Sequence, residues 1–364
     1  MILTVKQLED LEAARLAPYA TKSRNSKGRK HKEVIPENSY GRLCFQKDRD
    51  RIIHCKAFRR LDEKAQVFPA FFGDHYRTRL THTLEVSQIA RDIARRLGLN
   101  EDLSEAIALA HDLGHPPFGH TGEDALNEMM SLFGSHFEHN EQSKRVVTKL
   151  EKLYPDFDGL NLSLEVLEGL EKHKTSWDRS SVKDENFVSA HIEGQVVNLA
   201  DEIAYTNHDI DDGIRSGILK ISDIERTELW QEALSGLGGK NISKFGEEVM
   251  TSRIISRITG LMIVDICEYF DGDLLKFSPS ISLKVKELRD VLYTKFYMSD
   301  EVRKKLLKGK KMIKKLFEYY IQHPDKVHEK YKTGEKIEVA IKDYIAGMTD
   351  QFLKSELNKN LKLR

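Results

Sequence analysis

The chain has 364 residues, 40% of them apolar and 32% charged, a balance that belongs to soluble globular proteins and excludes intrinsic disorder. Its 58 basic and 58 acidic residues cancel to zero formal charge, so bulk electrostatics favour neither a nucleic-acid nor a membrane partner. The three cysteines, Cys44, Cys55 and Cys267, form no CxxC pair, which argues against a disulfide or zinc-finger framework and for a reducing, cytoplasmic setting.

In chain order, the opening MILTVKQLEDLEAARL reads as a charged helix with no signal-peptide core. Residues 22–32, KSRNSKGRKHK, are basic and poor in apolar side chains, and read as a mobile loop or arm. Helical periodicity dominates the rest of the chain. In 80–97, Leu80, Leu84, Ala90, Ile93, Ala94 and Leu97 recur at helical spacing, and Gly98 closes the helix. The next helix starts at Asp102, with Glu105 completing a capping box, and buries Leu103, Ala106, Ile107 and Ala110. Residues 172–187 read as a surface loop. From about Ser189 a third helix buries Ile192, Val196, Ala200 and Ile203. The later apolar run IISRITGLMIVDIC is interrupted by Arg257 and Asp265 and is too short to cross a bilayer. Residues 302–315, VRKKLLKGKKMIKK, read either as a solvated helix face or as a surface for polyanions. With no strand–helix alternation, the expected fold is all-α, with room for one short β-hairpin. The expected divisions are an N-terminal helix and basic arm (1–40), a catalytic core (41–220) and a C-terminal helical region packed on it (221–364).

The chemistry gathers in AHDLGHPPFGH, residues 110–120, where an apolar helix ends in titratable groups and the backbone then breaks at Gly114, Pro116, Pro117 and Gly119. His82 points to the core side of its helix; alone, such a histidine is more often a hydrogen-bonded core residue than a ligand. The adjacent His111 and Asp112 alter that reading, because a buried carboxylate needs neutralising. Asp201, inside the apolar run VVNLADEIA, poses the same problem. His82, His111, Asp112 and Asp201 together supply two imidazoles and two carboxylates for a divalent metal, with positions left open for water and substrate. His115 and His120 come next on a loop read as catalytic, where both can approach a substrate, and Glu123 lies one helical step after His120, a histidine–carboxylate pair suited to acid–base work. Asp201, Tyr205 and Asp209 share one helix face, so a ring and a carboxylate would line the same wall and suit a sugar. Arg79, one turn before His82, could grip a phosphate.

The ordered set H…HD…D resembles the HD superfamily of metal-dependent phosphohydrolases; the second HD dipeptide, His208–Asp209, does not fit the spacing of the metal pair. The segments DRDRIIHCKAFRRLDEKAQVF, RLTHTLEV, AHDLGHPPFGHTGEDAL, FEHNEQS, NLADEIAYTNHDIDDGI and DYIAGMTD resemble, in order, deoxyguanosine-triphosphate triphosphohydrolases of the shorter bacterial branch. They are more distantly similar to the eukaryotic SAM-and-HD-domain dNTPase. The resemblance implies an HD-domain fold and hydrolysis of a dNTP to deoxynucleoside and inorganic triphosphate. It implies one divalent ion, with Mn²⁺ first and Mg²⁺, Co²⁺, Ni²⁺, Fe²⁺ or Zn²⁺ as alternatives. It also implies that Gln66, Tyr205 and Asp209 surround the deoxyribose, that Arg79 holds the α-phosphate and that His139 lines the triphosphate side. A homo-oligomer (hexamer or tetramer), a dNTP activator at a second site and single-stranded nucleic acid complete the expected partners. The chain departs from the family pattern at Ala65, Gly194, Gln351 and Phe352. Glu202 stands where the eukaryotic relative places a lysine on the triphosphate, so a cation must come from elsewhere, with 303–315 as its source. The alternatives are an HD-type nucleotidase or phosphodiesterase acting on other nucleotides, and a nucleotide-sensing or nucleic-acid-binding protein.

Overall fold

A computed structural model describes residues 2–33, 40–66, 77–173, 189, 191–238, 246–332 and 334–361. Among them there is no strand. Where the sequence left room for a short hairpin, the described residues hold isolated bridges, Arg29 with Ser163, Ala65 with Thr78 and Lys152 with Gly159. The longer helices are α1 (Val5–Arg15), α2 (Cys44–His54), α3 (Arg79–Arg96), α4 (Glu101–Ala110), α5 (Gly119–Ser131), α6 (His139–Arg145), α7 (Leu164–Glu171), α8 (Ile192–Arg215), α9 (Glu228–Gly236), α10 (Glu247–Tyr269), α11 (Pro279–Leu292), α12 (Asp300–Gln322), α13 (Ile337–Ala346) and α14 (Asp350–Leu361). None of the described helices is long and apolar enough to cross a membrane.

Three helices, α3, α4 and α8, pack on one another and carry the chemistry. Thr78 caps α3 by accepting from the Thr81 N–H, and the helix buries Val86, Ile89, Ala90, Ile93 and Ala94. Leu84, expected inside, is 49% exposed. It lies about 200° around the helix from Val86, which anchors the apolar stripe. Gly98 follows the last turn at a φ of 66°. The cap of α4 is Asn100, whose side chain accepts from the Leu103 N–H, and not the expected box at Asp102. The helix begins a residue earlier, and Asp102 instead receives Gln46 and Arg49. For α8, His191 is the cap, accepting from the Gly194 N–H at 3.0 Å, so the helix starts three residues later than expected. Gly194 lies in tight packing, because a Cβ there would come within 2.5 Å of Ser189 Oγ.

The basic arm is docked, contrary to expectation. The Arg29 guanidinium pairs with buried Asp48 and donates to the carbonyls of Asn161 at 2.6 Å and Cys44 at 2.9 Å. Glu12 receives the backbone and hydroxyl of Ser23 at 2.7 Å each. One apolar cluster then runs from Leu16 to Leu357, so α12, α13 and α14 close over the same core that α3, α4 and α8 build. The cysteines are all free.

Candidate active site

At Ala110 the α4 helix tightens into a single 3-10 turn, His111–Gly114, and this brings its polar end onto α3 and α8. His82 Nε2 lies 3.0 Å from Asp201 Oδ1 and 3.8 Å from Asp112 Oδ2. His111 Nε2 lies 3.4 Å from Asp112 Oδ1 and 3.8 Å from Asp201 Oδ1. All four side chains are buried.

The tautomers of these rings depend on the groups behind them. The Nδ1–H of His111 must donate to the Ala108 carbonyl at 2.6 Å, which leaves Nε2 as a bare lone pair with no hydrogen-bond partner. Behind His82 sits His208, with the two Nδ1 atoms 3.1 Å apart, and the far nitrogen of His208 donates to Glu85. Burial pulls the His208 pKa down to about 4 in spite of Glu85, so the ring is neutral. Its Nδ1 accepts from His82, and the Nε2 lone pair of His82 then faces the carboxylate of Asp201. Asp201 Oδ1 makes no hydrogen bond. Lone pairs facing carboxylate oxygens in a buried space require a cation between them. The donor set of two imidazoles and two carboxylates fits a divalent metal, and His82, His111 and Asp112 are close enough to share one ion.

Asp112 has a second partner, Arg79, whose Nη1 donates to its Oδ2 at 2.9 Å. Burial pushes the Asp112 pKa up, but Arg79, His111 and His82 overcome it and hold the group well below the usual carboxylate range. The Nε and Nη2 of Arg79 are buried without hydrogen-bond partners, so donors remain for an anion. His115 is buried, with Nε2 3.3 Å from Asp112 Oδ1. Burial, Arg79 and His139 keep its pKa well below the ordinary imidazole value.

Next to this buried group, joined to it by Tyr205 beside His82 and by His139 beside His115, lies a cavity of about 600 Å³. His120, Glu123, His139, Gln66 and Tyr205 line it. Glu123 serves both outer histidines: Oε1 accepts from His139 Nδ1 at 2.9 Å, and Oε2 lies 3.4 Å from His120 Nδ1. The ring of His139 stacks on His115 with centroids 3.9 Å apart. Burial pushes the Glu123 pKa up, but His139 and His120 hold it far below its usual range, so it is ionised. Asp209 is not in the cavity wall. It sits behind Tyr205, where Oδ2 accepts from the Tyr297 hydroxyl at 2.7 Å, and burial pushes its pKa well up.

Sequence reasoning missed several residues here. His173, placed at the edge of the expected surface loop, is 1% exposed. Its Nε2 lies 3.4 Å from Asp201 Oδ2 and its Nδ1 2.7 Å from Asn198 Oδ1. The rest of that loop, 174–187, lies outside the described residues. His208 and Glu85 were legible only through spacing, since Glu85 is one turn from His82 and His208 one turn from Tyr205. Tyr297 and Arg303 enter the cavity wall from the C-terminal region. Glu202 is paired with Arg289 of α11. In the lysine-rich segment, Ile313 is buried and Leu307 is 54% exposed. Lys310 and Lys314 pair with Glu128 of α5, while Arg303 and Leu306 face the cavity.

A histidine–aspartate pair at the end of one helix, completed from two others, defines an HD-domain hydrolase. The HD-domain family model matches residues 79–206, and a phosphohydrolase-associated domain matches 275–359. The chain is 44% identical to a deoxyguanosinetriphosphate triphosphohydrolase-like protein of Geobacter metallireducens over 96% of this chain and 95% of the relative. Similar proteins of the same description occur in Leptospira interrogans, 42% identical over 94% and 95%, and in Nitrosomonas europaea, 42% identical over 93% and 95%. The chain belongs to this family of deoxyguanosinetriphosphate triphosphohydrolase-like HD-domain proteins.

Proposed function

We propose that the chain hydrolyses deoxynucleoside triphosphates to deoxynucleoside and inorganic triphosphate, with one divalent ion, Mn²⁺ first, held by His82, His111, Asp112 and Asp201. The observation that carries this reading is the buried meeting of lone pairs and carboxylates behind a cavity of nucleotide size, linked to it by the His115–His139 stack and by Tyr205 beside His82. A bound ion supplies Lewis-acid polarisation of a phosphoryl oxygen and of water. The names of the relatives supply the substrate class.

The chain's own residues do the rest. Arg79 is pinned to Asp112 by Nη1, and its remaining donors would hold oxygens of the α-phosphate. Water attacks the α-phosphorus, the bond to the 5′ oxygen breaks, and triphosphate departs as one piece. His120, oriented by Glu123, would deliver a proton to the departing 5′ oxygen. His115 and His139, stacked beside it, would border the phosphate chain. Tyr205 and Gln66 would pack against the deoxyribose, and the phenol ring under C2′ would exclude a ribose hydroxyl. Asp209 reaches the sugar only through Tyr205 and Tyr297, so its part is to fix those phenols. Arg303 is the cation best placed to replace the lysine that the chain lacks at Glu202.

The test is product analysis. Purified protein with Mn²⁺ is given each dNTP alone and in mixture, with His111→Ala as control, and products are separated by ion exchange. Deoxynucleoside plus intact triphosphate, absent in the variant, is the expected result, and turnover only in mixtures would reveal a second, activating nucleotide. Monophosphate or pyrophosphate as product would replace this reading with a nucleotidase or phosphodiesterase.

A further inference from the structure

The DYIAGMTD stretch and the buried Lys64 play no part in the proposed chemistry, yet they meet directly behind it. Asp350 opens α14 and is 4% exposed. Its Oδ1 accepts from the Phe118 N–H at 3.1 Å, and its Oδ2 accepts from the Ala65 N–H at 3.3 Å. The next residue back from Ala65 is Lys64, 2% exposed, whose Nζ donates to the carbonyls of His115 at 2.6 Å and Ala346 at 2.9 Å. One carboxylate and one amine from distant parts of the chain thus hold both ends of the 115–118 loop.

That loop needs holding. Phe118 has a φ of 65°, a left-handed conformation that a side chain with a Cβ adopts only under constraint. It is the N-cap of α5 and has no side-chain capping bond of its own. Two and five residues later come His120 and Glu123. The Phe118 ring is packed against Gly309 of α12, where an added Cβ would sit 2.9 Å from its Cγ. Gly119 comes next, also with positive φ, and a Cβ there would come within 3.1 Å of Arg79 Nη2. The backbone turn that aims His120 at the cavity is therefore one that the loop would not keep unaided.

We propose that Asp350, seconded by Lys64, is a positioning residue for catalysis, holding the left-handed turn at Phe118 so that His120 and Glu123 face the cavity. The proposal rests on reading those two residues as the acid–base pair.

The test is Asp350→Asn in the full chain loaded with Mn²⁺. The variant keeps the volume but turns an amide donor toward one of the two backbone N–H groups. A displacement of reacting groups on the ångström scale costs on the order of 100-fold in rate. The expected result is therefore a kcat loss of about 100-fold with KM, Mn²⁺ content and circular dichroism close to wild type. Hydrogen exchange at residues 115–123 should quicken, and Lys64→Met should move the same two readouts in the same direction. An unchanged kcat, or a loss that tracks lost metal or lost helix, overturns the proposal. Should the unaltered protein prove inactive on dNTPs, the triphosphohydrolase reading fails by itself. The exchange measurement needs no nucleotide, and unchanged exchange at 115–123 in Asp350→Asn still sinks the brace.

Discussion

At the scale of single residues, each of the four buried groups proposed to hold the ion has a partner behind it. Ala108 holds His111, Arg79 holds Asp112, His173 faces Asp201, and the His208–Glu85 chain holds His82. Such outer partners fix the tautomer and aim of a ligand before any ion arrives, and their loss commonly costs about 10- to 100-fold in metal affinity. His208→Ala is accordingly expected to weaken Mn²⁺ binding by about that factor, measured by isothermal titration, with the protein still folded. Affinity equal to wild type would mean that His82 is aimed by packing alone. The candidate ligands were legible from their helical contexts, His82 on an apolar stripe, His111 and Asp112 at the end of an apolar helix and Asp201 within VVNLADEIA. Their partners were not, because the contacts of His208 with His82 and of Asp350 with Phe118 join residues 126 and 232 positions apart, and no local period encodes such a distance.

At the scale of elements, α6 lies directly against the 3-10 turn after α4. Gly114 lies under α6 so tightly that a Cβ would fall 2.2 Å from the Ser143 backbone nitrogen and 2.3 Å from the His139 carbonyl oxygen. Ser143 closes the joint, accepting from the Gly114 N–H at 2.8 Å and donating to the His111 carbonyl at 2.6 Å. Gly114→Ala must push α6 outward and carry His139 away from His115. Overpacking of this kind costs about 1–3 kcal/mol, and urea denaturation should show a loss of that order along with a larger loss of turnover. A variant with wild-type stability and rate would show that α6 is free to shift. The sequence marked Gly114 as a break in the helix, which it is, but held no sign that another helix lies on it. The basic arm misled for a related reason. Its charge and lack of apolar residues suggested mobility, whereas Arg29 carries the arm into a buried carboxylate and two carbonyls that no nearby residue announces.

At the scale of the whole molecule, the all-α class came from periodicity, and the resemblance from motifs spread along most of the chain. What neither conveyed is how far the C-terminal region enters the cavity, through Tyr297 and Arg303, and the loop brace, through Asp350. Lys64 lies at that junction, and its titration is a property of the complete fold. Burial, aided by Arg60 and Arg79, brings its pKa down to about 7 from an ordinary 10.5. Between those values the unfolded chain holds a proton that the folded protein has released, so stability rises with pH across that window by up to about 1.4 kcal/mol per unit. In urea titrations with chelator present, the stability of wild type relative to Lys64→Met should climb from about pH 7 toward about pH 9.5. Parallel curves would mean that Lys64 stays charged inside the fold.

The contact between Asp350 and the Phe118 backbone also sets an order of events during synthesis. The four side chains proposed to hold the ion have all been made once residue 201 is added, whereas Asp350 follows 149 residues later. The contact proposed to brace the turn at Phe118 forms only after residue 350 has been made. A chain cut short before residue 350 would lack that contact, so truncation there is expected to disturb the turn at Phe118 even though every proposed ion-binding residue is present.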